Sequence, residues 1–177
     1  MRVIKSSRGF TLIELILAMI IAAFAILTLT MSLYPRSKQS AEQIYAVKAA
    51  ELGRAVMDEV LGRNYDEHSG PNGGLPECGS SEGEACSATL GKESGESGRE
   101  TFNDVDDFNG MSGDIADVLG TDLGDQYPNY QASISVFYDA DWDGSPDGSV
   151  GNYKRVEVII TDPSGQAYPF TAYRGNF

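Results

Sequence analysis

The sequence predicts an α+β protein: one long N-terminal helix followed by a small antiparallel sheet. Three observations carry that expectation. An apolar run fills residues 10–33, broken only by Glu14 and a few small or hydroxylated side chains. Apolar residues then recur at spacings of three and four from Tyr45 to Val60, the period of a helix face. The last quarter of the chain instead alternates apolar and polar residues and is punctuated by turn signals, as half-buried strands do.

The apolar run comes first. Its 24 residues would extend about 36 Å as a helix, enough to cross a ~30 Å hydrocarbon layer with some tilt. Before it, residues 1–9 carry Arg2, Lys5 and Arg8 and no acid. A secretory signal places small residues after its apolar segment, whereas here Gly9 stands before it. Cleavage after Gly9 would remove the charged leader and keep the helix; the plainer alternative is a signal anchor that is never cut. Glu14 argues against a plain anchor, because a carboxylate inside a membrane helix costs about 2.5–3.5 kcal/mol at the centre and marks a functional position.

The helix is expected to continue as an amphipathic segment over residues 34–62. Tyr45, Ala49, Leu52, Val56 and Val60 form its apolar stripe, with Gln43, Arg54 and Asp58 opposite. Gly62 is a stop signal. Pro35 removes a backbone donor and crowds the preceding turn, so a kink or brief unwinding is expected there.

Residues 63–177 form the remaining domain, large enough for its own core. Between residues 63 and 129 the chain is rich in Gly, Ser, Asn and acids with weak periodicity. Pro71-Asn72-Gly73-Gly74 reads as a turn and residues 115–119 as a short helix. Cys78 and Cys86 are the only cysteines. No His or further Cys stands nearby for zinc and the spacing is not Cys-x-x-Cys, so a disulfide closing a short loop is expected. Further on, Ala132, Ile134, Val136 and Tyr138 alternate with polar residues, Val156 to Ile160 gives a second strand, and Asp162-Pro163-Ser164-Gly165 is a strong turn. Residues 166–173 return as a third.

Charge narrows the function. The chain has 13 basic and 26 acidic residues; without the three cations of the leader, ten face 26. Between Asp66 and Asp147 lie 19 acids against only Lys92 and Arg99. Such a surface opposes nucleic acid and anionic headgroups. Acid runs are ordinarily solvated surface; bridging by divalent cations is the alternative. An acidic bulk with a cysteine pair suits an oxidising, exported compartment, which leaves the leader cytoplasmic.

Two acid clusters are candidate metal sites. Asp139, Asp141, Asp143 and Asp147 resemble the opening half of an EF-hand loop, but the twelfth place, where a bidentate Glu belongs, is Val150. Either a solvated Asx-rich turn or a calcium site fits this hairpin loop. Residues 103–110 are the second cluster, where Phe102, Val105 and Phe108 are spaced to anchor a turn in the core. Enzymatic machinery is not expected. His68 is the sole histidine, placed past the helix end where a structural or solvated role suits it, and no phosphate-cradling Gly motif occurs.

Gly9-Phe10-Thr11-Leu12-Ile13-Glu14-Leu15, after a basic leader, resembles the processing motif of type IV prepilins and pseudopilins. That resemblance implies cleavage after Gly9 by a prepilin peptidase, methylation of the new Phe10 amine, and a pilin-like ladle fold. Glu14, the fifth residue of the processed chain, would pair with the Phe10 amine of a neighbouring subunit, since a carboxylate in low dielectric needs an opposite charge. Partners are then other pilin subunits through the N-terminal helix, with inner-membrane residence before assembly. Many major pilins carry a proline deeper in the apolar run than Pro35. Residues 50–61, with Asn64-Tyr65-Asp66, Pro71-Asn72-Gly73-Gly74 and the 104–110 cluster, are most similar to minor pilins of mannose-sensitive haemagglutinin pilus systems, the MshD type. A type II secretion pseudopilin is the rival within that architecture. An adhesin using Trp142 and the Tyr-rich C-terminal strands is a third reading.

Overall fold

The computed structural model describes residues 9–70, 74–115 and 125–177, with backbone only at 34–41. The basic leader, most of the Pro71-Asn72-Gly73-Gly74 turn, all but the first residue of the expected 115–119 helix, and the side chains flanking Pro35 lie outside that description. The chain divides into two compact units, Met1–Ile44 and Tyr45–Phe177.

Helix α1 spans Leu12–Leu61, two residues later at its start than the apolar run suggests. Thr11 explains the difference. Its carbonyl accepts the Leu15 N–H at 3.2 Å and its hydroxyl accepts the Glu14 N–H at 3.4 Å, which makes Thr11 the N-cap in a Thr-x-x-Glu sequence. The helical assignment runs through Pro35, so the unwinding expected there does not occur. At the other end the Gly62 N–H reaches the Asp58 carbonyl at 3.1 Å, and the helix stops where Gly62 predicts. In the first unit, Leu12–Leu33 is long and apolar enough to cross a membrane by length and composition, and none of it is buried within the chain.

In the second unit, four antiparallel strands lie in the order β1 (Ser112–Asp114), β2 (Gln131–Tyr138), β3 (Tyr153–Thr161) and β4 (Ala167–Gly175). Three were expected. The extra strand, β1, is Ser-Gly-Asp, too short and polar to show an alternation. Ala132, Ile134, Val136 and Tyr138 of β2 face inward, as do Val156, Val158 and Ile160 of β3. The register sets Ile134 opposite Val158 and Val136 opposite Val156. The buried helix stripe Ala49, Leu52, Val56 and Val60 belongs to the same core. Burying each such valine, leucine or isoleucine is worth about 1.5–3 kcal/mol.

Gly53 marks a close approach, because a Cβ there would run into the Phe170 ring of β4. β4 is an outer strand of the sheet and carries Pro169 opposite Ile159. Phe102, Val105 and Phe108 do anchor the 102–108 segment in the core, and the rings of Phe102 and Phe108 meet edge to face at 5.1 Å. Arg99 ties the same segment to α1 through two bonds to Glu59, at 2.6 and 2.7 Å.

The acid-rich stretch departs from the expectation of a solvated surface. Asp66, Asp104, Asp106, Asp107 and Asp139 are all fully buried. Cys78 is buried too, packed with Tyr65 and Tyr138 in a satellite cluster, although its segment lacks the composition of a core.

Candidate functional site

Gly9 and Phe10 precede the Thr11 cap and stand outside the helix, with Phe10 83% exposed. Glu14 sits in the first turn of α1, where the helix dipole favours a negative charge. After it come side chains such as Leu15, Ile20, Phe24, Leu27 and Met31, each at least 49% exposed. Among the described residues nothing in its own unit covers this apolar surface.

The second unit has a different centre, built around a lysine that the sequence reading passed over. Lys154 lies at an inward position of β3, two residues before Val156, and is fully buried. Its ammonium donates to the Tyr65 carbonyl at 2.7 Å, to Asp66 Oδ2 at 3.0 Å and to Asp106 Oδ1 at 2.5 Å. All three of its protons are therefore used. The rings of Tyr65 and Tyr138 flank it at 4.5 and 5.4 Å. Burial works to raise the Asp66 carboxyl, but the Lys154 charge and hydrogen bond, with N–H donors from His68 and Ser87, outweigh it and hold Asp66 below the usual carboxylate range. For Asp106 burial wins over Lys154 and the carboxyl is pushed up.

Beside this centre the 103–107 turn folds on its own acids. Asp104 Oδ1 accepts the N–H groups of Asp106 and Asp107 at 2.9 and 3.2 Å. Asp107 Oδ2 accepts those of Asn103 and Asp104 at 2.9 and 3.1 Å. Burial and the Asp106 charge push Asp104 up to about 9; burial and Glu96 push Glu93 up to about 8.

His68 and Ser87 lie next to Asp66, yet their geometry opposes nucleophilic catalysis. The Ser87 hydroxyl donates to Asp66 Oδ1 at 3.1 Å, and both Asp66 and Ser87 approach the same ring nitrogen, Nδ1, at 3.3 and 3.5 Å. His68 Nε2 faces Glu84 at 3.7 Å. A proton relay needs the hydroxyl on one ring nitrogen and the carboxylate on the other.

Cys78 and Cys86 form a disulfide with Cα atoms 4.9 Å apart. Asn176 closes over it, its amide donating to the Cys78 carbonyl at 3.0 Å.

The four acids of the 139–147 loop are only partly brought together. Oxygens of Asp139, Asp141 and Asp147 come within 4.8 Å of one another, and Asp143 is not among them. Their carboxylates already serve the loop. Asp139 accepts the Asp143 and Gly144 N–H groups at 3.1 and 3.0 Å and the Tyr173 hydroxyl at 2.6 Å. Asp147 accepts the Ala140 N–H at 2.7 Å, and Asp143 that of Ser145 at 2.7 Å. This is the bonding of an Asx-rich turn. Burial opposes ionisation of Asp139, but the Tyr173 hydroxyl and these N–H donors keep its carboxyl below the usual range. Trp142 is 57% exposed and stacks on Tyr173 at 4.7 Å with planes 12° apart, so packing accounts for one of its faces.

No curated protein and no solved structure matches the chain. Residues 4–30 match the family model described as the prokaryotic N-terminal methylation motif, so this chain carries at its N-terminus the motif of prokaryotic type IV pilin-type proteins.

Proposed function

We propose that the protein is a minor subunit of a type IV pilus, cut after Gly9 by a prepilin peptidase, methylated at Phe10 and held in the filament by its N-terminal helix. The observation that carries this reading is the pairing of the methylation motif over residues 4–30 with a Leu12–Leu33 segment that nothing in its own unit covers. Before assembly, bilayer lipid covers that segment; in the filament, neighbouring subunits do. Glu14 supplies the register, because its carboxylate in an apolar bundle pairs with the Phe10 amine of an adjacent subunit. The leader is cytoplasmic and residues 63–177 are exported, in keeping with the disulfide. Sequence resemblance of residues 50–61 and 104–110 supports the mannose-sensitive haemagglutinin type of pilus and a role in adhesion or surface attachment.

A type II secretion pseudopilin shares the N-terminal helix and its chemistry; the two differ in the filament that accepts the subunit. Mass spectrometry of the membrane-extracted protein tests the shared part. A mature chain beginning at a methylated Phe10 is expected, and an intact leader would remove the proposal.

A further inference from the structure

Glu93, Asp104 and Asp107 converge where the Gly/Ser/Glu segment around residues 91–98 meets the 103–107 turn, and carboxylate oxygens of the three lie within 4.8 Å of one another. Among the described residues no Lys or Arg forms an ion pair with any of them. Lys154, the nearby buried cation, is committed to Asp66 and Asp106.

A second and independent observation concerns hydrogen bonding. Glu93 Oε2, Asp104 Oδ2 and Asp107 Oδ1 are each buried with no donor, while Asp104 and Asp107 are themselves fully buried. Buried polar atoms are almost always satisfied, and three orphaned carboxylate oxygens in one cluster require a partner.

We propose that Glu93, Asp104 and Asp107 bind a calcium ion, which supplies the positive charge the cluster lacks. The donors are all hard oxygens with no imidazole or thiolate, which favours Ca²⁺ or Mg²⁺ over zinc. Ca²⁺ bonds oxygen at about 2.3–2.6 Å, so two of its ligands can stand up to about 5 Å apart; Mg²⁺, at about 2.0–2.1 Å, holds them no more than about 4.2 Å apart. Oxygens within 4.8 Å of one another lie inside the reach of Ca²⁺, and a buried all-carboxylate site suits it better than Mg²⁺, which dehydrates reluctantly. The second oxygens of Asp104 and Asp107 are anchored by two backbone N–H groups each, so the free oxygens are set before metal arrives. The 139–147 loop differs here, because none of its carboxylate oxygens is buried without a donor. Calcium at the 93–107 site fastens a segment with little core of its own to the turn that Phe102, Val105 and Phe108 hold in the core.

The full chain, purified in detergent and stripped with EDTA, is titrated with CaCl₂ and separately with MgCl₂. One Ca²⁺ per chain is expected, with a rise in Tm of about 5–10 °C at a hundredfold excess over Kd. Tryptic cleavage after the exposed Lys92 should slow at least about tenfold through the linkage of binding to local opening. The Asp104→Asn/Asp107→Asn variant should lose both effects, and the Asp141→Asn/Asp147→Asn variant should keep them. Glu93→Gln, which alters a half-buried side chain, should weaken binding at least about tenfold even if the double variant does not fold. Absence of binding to the unaltered chain, an unchanged affinity in Glu93→Gln, or effects lost only in the 141/147 variant would overturn the site. Equal protection by Mg²⁺ would overturn the choice of ion.

Discussion

Replacing Lys154 with Met removes the cation shared by Asp66 and Asp106 while keeping most of the side-chain volume. All three groups are fully buried, so solvent does little to screen the change. Breaking a buried ion pair from one side costs about 3–5 kcal/mol, because the remaining charge is left without compensation. In a unit the size of Tyr45–Phe177 that corresponds to a fall in Tm of about 10–20 °C. The assay is urea unfolding of the full chain in detergent, followed by near-ultraviolet circular dichroism at pH 7 and pH 4.5. Asp66 in the unaltered protein has a lowered carboxyl pKa. Its contribution is therefore present above the unfolded value near 3.9 and is lost as pH falls through the folded value. In Lys154→Met the N–H donors of His68 and Ser87 remain on Asp66, but the Lys154 charge and hydrogen bond no longer oppose burial, so the Asp66 carboxyl rises and that of Asp106, already pushed up, rises further. The variant then suffers its penalty at pH 7 and recovers part of it on acidification, so the gap to the parent narrows at pH 4.5. Adding Asp106→Asn to Lys154→Met should cost less than the two single changes together. A loss below about 1 kcal/mol at pH 7, or a gap indifferent to pH, would refute Lys154 as the counter-charge of this core.

Two further outcomes are expected. Glu14→Ala should leave the protein in the membrane fraction and reduce its recovery in sheared pili, measured by immunoblot; undiminished recovery would remove the docking role of Glu14. Gly53→Ala should lower stability by about 1–3 kcal/mol through the forced displacement of the Phe170 ring. Phe170→Leu in that background should restore part of the loss, and urea midpoints of the parent and the two variants check it.

Legibility in the sequence followed the reach of periodicity. The helix stripe Ala49, Leu52, Val56 and Val60 and the inward faces of β2 and β3 were readable because each repeats with its own period along a continuous segment. Thr11 was readable in principle from Thr-x-x-Glu, yet the apolar run drew the helix start to Phe10. β1 has three residues and nothing to alternate. Lys154 was hidden for a different reason. It continues the inward series of Val156, Val158 and Ile160, but a charge at such a position makes sense only once Asp66 and Asp106, 88 and 48 positions away, are brought to it. Likewise, composition places an acid run on the surface by default. Only the anchoring of Phe102, Val105 and Phe108 shows that Asp104 and Asp107 are carried inside with them. The four acids of the 139–147 loop show the converse: their spacing is readable, whereas their service to the turn's own N–H groups is not.

Pro169 has a consequence for crowding. On the proposed filament reading, subunits stand side by side at high local concentration, and a nine-residue outer strand would offer neighbours a template for stray sheet growth. A proline in β4 must keep its nitrogen on the side away from β3, so the outward rim lacks a donor at the third of the strand's nine residues. A second strand laid against it would leave one carbonyl unanswered at that step. On the same filament reading, domains packed closely would then not fuse into a continuous sheet, and cohesion between subunits would be left to their N-terminal helices.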